Sequence, residues 1–426
     1  IRKKILYTLM ILVIVRVGSL LPIPGVDTEY FSSLLSGINT GDLSYLSAFT
    51  GGSFERMSLF ALSITPYITS SIIMQLLAIA IPKLEEMQKE GEDGRKKIAA
   101  ITRYVTIGLA LIESIAMAVG FGRSGLIKGY QGFSTLHYIV SIMVVVAALT
   151  AGSAMLMWLG ERITENGVGN GISIVLLINI ISGMPSDFAT LYSTFVAPRT
   201  IAKGVLAAAI IIAILVVMVV LVCFLQDGER RIPVQYSQKV SGRKTFGGQS
   251  TNIPLKVNTA GVMPVIFASS LMQFPVIIAQ LFGKSYEWTR YLSSSYWCRV
   301  SAPKYSIGLI LYVVLLIIFA YFYTSITFNP IEVADNLKKA GGVIPGITPG
   351  KSTSDYLNNI LNYIVFVGAV GLLIIALIPI MCTGFFNASV SFGGTSVIII
   401  VGVVLETLKQ IESQMVNRYY KGFLSE

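Results

Sequence analysis

The feature that most constrains this chain is a series of ten apolar segments along its length. A helix needs about 20 mostly apolar residues to cross the hydrocarbon core of a bilayer. Most segments reach this length, although the fifth is short and the tenth is long enough only with two adjacent glycines included. The predicted spans are Ile5–Leu21, Leu59–Ile81, Ile98–Gly120, Tyr138–Leu159, Ile172–Gly183, Gly204–Leu225, Ala260–Leu281, Ile307–Phe328, Tyr363–Met381 and Ser389–Leu405. The pattern predicts an all-α integral membrane protein with ten transmembrane helices.

Composition excludes most other classes of protein. Apolar residues make up 54% of the 426 residues and charged residues 13%, against roughly 45–50% and 25% in a soluble globular protein. Such a chain has too few charges to build a water-soluble surface. Its three cysteines, Cys223, Cys298 and Cys382, are isolated, which argues against a disulfide scaffold. A single histidine, His137, argues against most zinc sites and Ser-His or Cys-His catalysis.

The basic residues predict the orientation of the chain in the membrane. Ten spans place both termini on one side, and that side carries 21 lysines and arginines against 9 on the other. An excess of lysine and arginine marks the cytoplasmic side, so both termini and the long segment 226–257 are predicted to be cytoplasmic. The loop 282–306, with four basic residues on the opposite side, fits this rule least well.

An internal repeat predicts two halves. Five residues of the second span recur in the seventh, each 198 positions later: Pro66, Ile68, Ser71, Met74 and Gln75 match Pro264, Ile266, Ser269, Met272 and Gln273. Chance reuse of a few residue types in apolar helices is the alternative explanation. Because each half has five spans, an odd number, the second half must run inverted, an architecture that forms a central path. The predicted division is 1–183, an external hinge loop 184–203, then 204–405 and a cytoplasmic tail 406–426.

Glycines occupy matching places in the two halves. Gly167–Gly171 precedes the fifth span, and Gly393-Gly394 lies within the tenth. Glycines in membrane helices usually allow close packing. Their correspondence between halves also suits helices that border a central cavity.

Two segments on the predicted cytoplasmic side stand out. Segment 226–257 alternates polar and apolar residues on either side of a turn at Ser241-Gly242, which predicts a protruding hairpin. Segment 329–358 is rich in glycine and proline.

Ionisable chemistry is sparse within the spans. Arg16, Arg103 and Glu113 are the charged residues there, and the two arginines lie near span ends from which they could reach the interface. The sequence offers no catalytic residue, metal ligand set or cofactor site. Isoleucine, valine and leucine instead surround the repeated proline, and an apolar ring of this kind can gate a pore by dewetting. Lipid contact or ordinary packing is the alternative role for each isoleucine.

Four motifs, in the expected order along almost the whole chain, resemble those of the SecY family. They are Ile64–Leu77 (ITPYITSSIIMQLL), Gly169–Ile174 (GNGISI), Gln249–Asn258 (QSTNIPLKVN) and Ala334–Lys339 (ADNLKK). The family forms the pore subunit of the general protein-secretion translocon of the bacterial plasma membrane. The resemblance implies a central hourglass pore through which unfolded polypeptides cross, with a lateral exit into lipid for apolar segments.

The resemblance also assigns site residues. An apolar pore ring maps to Ile64, Ile68, Ile172, Leu176, Ile266 and Ile399. A short plug helix maps to about 43–60, with Leu43, Leu46, Phe49, Phe54 and Met57 as its apolar residues. A lateral gate between the second and seventh spans maps to Thr69, Gln75 and Asn258.

Partners are implied in the same way. Arg243, Lys244, Lys338 and Lys339 map to loops that dock a ribosome or a SecA-like ATPase motor. Small membrane subunits resembling SecE and SecG are expected to brace the two halves, while a signal sequence, the translocating polypeptide and membrane lipids contact the channel itself. One position departs from the family: Thr348 stands where relatives carry an arginine important for motor coupling.

Two other classes of function remain as alternatives at this point. A secondary transporter of a small solute can also be built from inverted repeats, but it usually carries charges or ion-binding polar groups within the membrane. An intramembrane enzyme would need a nucleophile, a metal site or an acid pair, for which the chain offers no candidate.

Overall fold

The computed structural model of the chain describes residues 2–31, 50–121, 135–198, 201–236, 239–241, 244–246, 250–281, 287–293, 296–298, 303–386 and 394–421. In the first half, the helices are α1 (Arg2–Leu20), α2 (Thr65–Ala80), α3 (Pro82–Lys89), α4 (Glu92–Phe121), α5 (Thr135–Asn166) and α6 (Gly171–Leu191). In the second half they are α7 (Ile201–Asp227), α8 (Met263–Leu281), α9 (Glu287–Leu292), α10 (Ile307–Thr327), α11 (Pro330–Lys339), α12 (Lys351–Phe386) and α13 (Gly394–Lys421).

Each of the ten predicted spans overlaps one of these helices: α1, α2, α4, α5, α6, α7, α8, α10, α12 and α13. Six of them, α4, α5, α6, α7, α10 and α12, are long and apolar enough to cross a membrane, and α2 with α3 makes up to seven. The axes of α2 and α3 differ by 107°. Ile81 between them is extended because the following residue, Pro82, disfavours a helical backbone at the position before it.

Several predicted boundaries were wrong. The second span was expected to begin at Leu59, but 59–64 forms turns and α2 begins only at Thr65. The fifth span was expected to end at Gly183, before a loop over 184–203. Instead, α6 runs through Pro185 to Leu191 and a π-helical turn continues to Val196. Hydropathy reports where a helix is apolar and not where it ends, so a polar helical extension such as this escapes it.

The tenth helix extends past its predicted end. Its described part, α13, begins at Gly394 and continues to Lys421, through most of the expected tail 406–426. The remainder of that prediction, 389–393, lies outside the described residues. Gly394 is the first described residue of α13, and Gly171 is the first residue of α6.

The repeat has a structural counterpart at the start of two helices. Helix α2 begins at Thr65, with Pro66 in its first turn, and α8 begins at Met263, followed by Pro264. Proline is favoured at this place because the first helical N–H groups have no partner within the helix. The repeated methionines, Met74 and Met272, are both buried.

The predicted hairpin forms and joins the other prominent segment. Strand β1 (Glu229–Tyr236) pairs antiparallel with β4 (Ser250–Lys256), and β2 (Lys239–Ser241) pairs with β3 (Lys244–Phe246) nearer the tip. Strand β5 (Gly342–Val343) adds to the free edge of β1, giving the order β4-β1-β5. The sheet, α11 and the start of α12 share an apolar core, and we call this unit the hairpin lobe. Its buried residues are Ile232, Val234, Leu255, Leu337, Ile344, Leu357, Ile360, Leu361 and Ile364.

Candidate pore and lateral gate

The six residues assigned to a pore ring belong to one apolar assembly. Ile64, Leu176, Ile266 and Ile399 are buried in it, and Ile68 and Ile172 pack against it. We call this assembly the pore cluster. Its other buried members are Ile11, Val15, Phe60, Leu156, Leu159, Ile163, Ile174, Val175, Ile180, Phe267 and Val403. The cluster therefore gathers side chains from α1, α2, α5 and α6 of the first half and α8 and α13 of the second.

Local structure explains how two pairs of ring residues share a face. Ile64 and Ile68 are four residues apart at the start of α2, where Ile68 N donates to Ile64 O at 3.1 Å. Ile172 and Leu176 are four residues apart at the start of α6. The Asn170 side chain caps that helix by accepting from Ile172 N at 3.2 Å. Residues four apart lie on one helix face, so each helix presents two apolar side chains to the cluster.

Glycine sets how closely α6 approaches α5. A Cβ on Gly171 would collide with the carbonyl oxygen of Gly160. Gly169 has a φ of +80°, a conformation that favours glycine. The glycines before the fifth span therefore serve the close packing that was one of their two predicted roles, and they place Ile172 where it packs against the cluster.

Only part of the expected plug can be located. Leu43, Leu46 and Phe49 lie outside the described residues. Phe54 and Met57 are buried, but in a separate apolar cluster with Ile23, Val26, Phe31, Ala61, Met117, Ala118, Val145 and Leu149. A helix was expected as far as Phe60. The described segment from 51 onward consists of turns instead, with positive φ angles at Met57 and Ser63.

A polar junction that sequence reasoning missed holds this turn segment. Arg16 Nη1 donates to Ser182 Oγ at 3.0 Å and to Gly51 O at 3.4 Å. Asn179 Nδ2 donates to Ser63 Oγ at 3.1 Å. Arg16 was expected to reach the interface from a span end; it instead ties α1 and α6 to the start of the turn segment. Its isolation among apolar residues was the available signal.

Arg103, the other arginine within a span, also has a partner. Its Nε lies 2.7 Å from Glu161 Oε1, which joins α4 to α5. Ser70 and Thr106 hydroxyls are hydrogen-bonded 2.5 Å apart and join α2 to α4. These contacts make α2, α4 and α5 one packed unit.

The three residues assigned to the lateral gate form hydrogen bonds within their own segments. Thr69 Oγ1 donates to Thr65 O, and Gln75 Nε2 donates to Ser71 Oγ, both on α2. Asn258 Nδ2 donates to Gly261 O and closes the turn before α8. Val257, beside Asn258, approaches Gly368 on α12. Among the described residues, no hydrogen bond joins these three side chains to one another, and their role in a gate stays a prediction.

Aromatic residues that the sequence did not single out pack on the second-half side of the pore cluster. Phe319 and Tyr323 on α10 both pack against it. The Phe267 ring on α8 meets Phe319 and Tyr323 edge-on, with centroids 5.8 and 5.6 Å apart. Ile68 and Ile72 of α2 pack against the same cluster. Helix α8 also contacts α4, so α2 and α4 face α8 and α10 along one seam.

The residues assigned to docking are only partly described. Arg243 lies outside the described residues, and Lys244 is placed by its strand, opposite Ser241. Lys338 and Lys339 are exposed in the last turn of α11, within the hairpin lobe. Thr348 is exposed, and its hydroxyl donates to Ser352 Oγ at 2.9 Å at the start of α12. Threonine at this position hydrogen-bonds the first turn of α12 through its short hydroxyl side chain. An arginine has no hydroxyl with which to make this bond.

Taken together, these features define a class: a multi-pass, α-helical membrane protein with two halves that both contribute to one apolar cluster. The profile of the SecY family matches residues 58–408. The chain belongs to the SecY family.

The most similar relatives include the protein translocase subunits SecY of Streptomyces galbus and Bacillus subtilis. The first is 44% identical over 434 residues, covering 99% of this chain and 97% of the relative. The second is 42% identical over 432 residues, covering 100% of this chain and 96% of the relative. These relatives favour the protein-conducting channel over the solute transporter.

Solved structures of similar fold include one described as "The structure of a protein conducting channel". It has a TM-score of 0.65 and 18% identity and covers 97% of this chain and 93% of its own. Sec61 in the canine ribosome-channel complex from the endoplasmic reticulum has a TM-score of 0.64 and 17% identity, with coverage of 97% and 93%. At this identity the likeness concerns the fold, which has ten helices in two halves.

Proposed function

We propose that the chain is the pore subunit of a protein translocase, which passes unfolded polypeptides across the membrane and releases apolar segments sideways into lipid. The observation that carries this proposal is the pore cluster, in which ring residues from both halves pack together. In the described conformation Ile64 and Ile399 are each 1% exposed and Leu176 is 4% exposed. A constriction this dry resists water and ions.

Apolar side chains suit a path that must accept many sequences. They offer no hydrogen bond or charge that would hold one passing segment more tightly than another. They can close around a chain through non-directional contacts, which are individually weak and collectively strong. The ring is proposed to be Ile64, Ile68, Ile172, Leu176, Ile266 and Ile399.

Opening is proposed to occur along the seam where α2 and α4 face α8 and α10. Ile68 and Ile72 of α2 and Tyr323 of α10 pack against the same apolar cluster there. A signal sequence that inserts there would replace the apolar contacts between the two halves with apolar contacts of its own. A hydrophobic helix can therefore enter with little loss of free energy. The plug is proposed to be the segment 43–60, whose described part begins at Thr50 and is held by Arg16 at Gly51.

The hairpin lobe is proposed as the docking surface for a ribosome or an ATPase motor. Lys338 and Lys339 are exposed there, with Arg230 and Arg231 on β1 and Arg243 and Lys244 assigned to the tip. Cations on a projecting surface suit ribosomal RNA phosphates and acidic protein surfaces. Channels with a TM-score of 0.64 and 0.55 to this chain were solved on ribosomes, which supports this docking. The lobe and both termini are proposed to be cytoplasmic, in a bacterial plasma membrane.

The pore cluster can be tested by making the ring polar. Ile68→Asn with Ile266→Asn puts two amides into the constriction from opposite halves. We expect a higher ion conductance in planar bilayers and secretion of precursors with weakened signal sequences, because a polar ring wets and opens more easily. Ile68→Val with Ile266→Val is the matched control, and it should keep the seal. Unchanged conductance and signal selectivity in the asparagine variant would contradict the ring.

A further inference from the structure

A compact aromatic structure precedes α10, at the end farthest from the hairpin lobe. It comprises the described residues 287–293, 296–298 and 303–306, and we call it the aromatic loop. Trp297 is 2% exposed at its centre, and its Nε1 donates to Tyr291 O at 2.8 Å. A Cβ on Gly308 would collide with that same carbonyl oxygen, so the loop sits tightly on the first turn of α10. The aromatic loop therefore packs closely against the first turn of α10.

Two cations of this loop lie over one pair of aromatic rings. Arg290 comes from α9 and Lys304 from the turn before α10. Lys304 Nζ lies 4.9 Å from the centroid of the Tyr305 ring, and Arg290 Cζ lies 5.8 Å from that of Tyr296. The Tyr296 and Tyr305 rings are themselves in edge contact, with centroids 5.9 Å apart. The aromatic rings thus hold two positive groups close together.

The charge of this pair is poorly balanced within the part of the chain that the structure describes. No described carboxylate forms an ion pair with Arg290 or Lys304; Glu287 acts on them only at longer range. The nearby Arg290 guanidinium, and then the Lys304 ammonium, lower the pKa of the Tyr305 hydroxyl against the opposing effect of its burial. Both observations describe a place where negative charge is favoured.

The position of the pair along α10 matches the phosphate level of a bilayer. Ile307 and Ile310 directly below it are 64% and 65% exposed, as lipid-facing residues are. Helix α10 has 21 residues, so it is about 31 Å long, close to the thickness of the hydrocarbon core. Its far end leads into α11 and the hairpin lobe. The aromatic loop therefore lies at the opposite membrane surface, where tyrosine and tryptophan are favoured.

We propose that Arg290 and Lys304, which lie close together beside Tyr305, bind the phosphate group of an anionic phospholipid at the membrane surface opposite the hairpin lobe. Basic pockets beside transmembrane helices bind acidic lipid headgroups. The proposal also gives a reason for the four basic residues of the loop 282–306, which fit the charge rule for orientation poorly. It requires the chain to be in a membrane and does not depend on the channel function.

The test compares lipid retention by native mass spectrometry of the full chain in detergent, titrated with phosphatidylglycerol or with phosphatidylcholine. We expect preferential phosphatidylglycerol adducts, and about fivefold weaker retention for each cation removed in Arg290→Gln and Lys304→Gln. Lys203→Gln is the matched control, because Lys203 is an exposed cation at the start of α7, outside the aromatic loop. It should leave retention unchanged.

Tyr305→Phe separates the hydroxyl from the ring. It should weaken retention while leaving the melting temperature close to that of the unchanged chain, since the ring still packs. Equal retention of the two lipids, or equal losses in Lys203→Gln and the Arg290 and Lys304 variants, would overturn the proposal. Displacement of phosphatidylglycerol by an equimolar amount of inorganic phosphate would also overturn it, because the ligand would then be a free anion.

Discussion

At the scale of single residues, the site depends on positions that allow close approach as much as on the ring side chains. Gly171 touches the Gly160 carbonyl oxygen, and it directly precedes Ile172, one of the proposed ring residues. Any side chain at 171 must push α6 away from α5. A substitution at this glycine should therefore disturb the packing of the pore cluster without altering a ring side chain.

We predict that Gly171→Ala destabilises the chain by about 1–3 kcal/mol, the usual cost of overpacking, and raises ion leakage. Gly183→Ala, in the same helix, is the control, since a Cβ there would meet no atom within 4 Å. Melting in detergent and conductance in planar bilayers measure the two effects. Equal melting temperatures for the two variants would contradict the packing argument.

Arg16 is the second residue at which a small change should have a specific effect. Its guanidinium holds Gly51 O and Ser182 Oγ, and losing a hydrogen bond to a charged group costs about 1.5–3 kcal/mol. We predict that Arg16→Gln loosens the turn segment and increases its cleavage by an added protease in proteoliposomes. Arg162→Gln is the control, because Arg162 pairs with Glu165 at an exposed position of α5. Equal cleavage of both variants would show that Arg16 does not hold the segment.

At the scale of helices, the seam between α2 and α10 should control opening. Tyr323→Phe removes a half-buried hydroxyl from the seam and keeps the ring against Phe267. If that hydroxyl bonds across the seam to α2, its loss costs about 1 kcal/mol, which corresponds to about a fivefold rise in the open population.

That change should be seen as more frequent channel openings and as export of precursors with weaker signal sequences. Tyr321→Phe is the matched control on the same helix, because the Tyr321 hydroxyl bonds Asn362 O on α12, away from the seam. If both tyrosine variants behave alike, the Tyr323 hydroxyl does not govern the gate.

The helices were predictable from the sequence, whereas several ends and contacts were not. Apolar length located all ten spans, and the alternation in 226–257 predicted a hairpin whose Ile232 and Val234 are buried. Apolar length could not show that 59–64 forms turns, because buried turns and buried helices are equally apolar. Nor could it show that β5 joins the hairpin to 329–358. Such pairing depends on which segments meet in space.

Some residues of the candidate site could likewise be predicted from the sequence, whereas their contacts could not. The six ring residues came from resemblance, and the repeat had independently paired two of them, Ile68 and Ile266. The structure brings the set together in the pore cluster. Asn179 was missed because a polar residue in an apolar helix gives no sign of which neighbour it faces. Its partner, Ser63, lies far away in sequence.

At the scale of the whole molecule, the hairpin lobe should bind ribosomes by charge. We predict that Lys338→Gln with Lys339→Gln weakens binding and lowers the slope of log affinity against log salt by about 1 for each phosphate that the variant no longer neutralises. Lys97→Gln is the control, since Lys97 is exposed but already pairs with Glu90. A slope unchanged in the double variant would place the ribosome contact elsewhere.

The central claim is that a polypeptide passes between the two halves through the pore cluster. Its most direct test places a photoreactive residue at Ile68 or Ile266 and presents a stalled secretory precursor to the channel, with its partners, in reconstituted vesicles. Ile310, which is 65% exposed on the lipid-facing side of α10, is the control position. We predict crosslinks to the precursor from positions 68 and 266 and none from 310. The absence of crosslinks from both ring positions, with the protein folded and its partners bound, would contradict the claim.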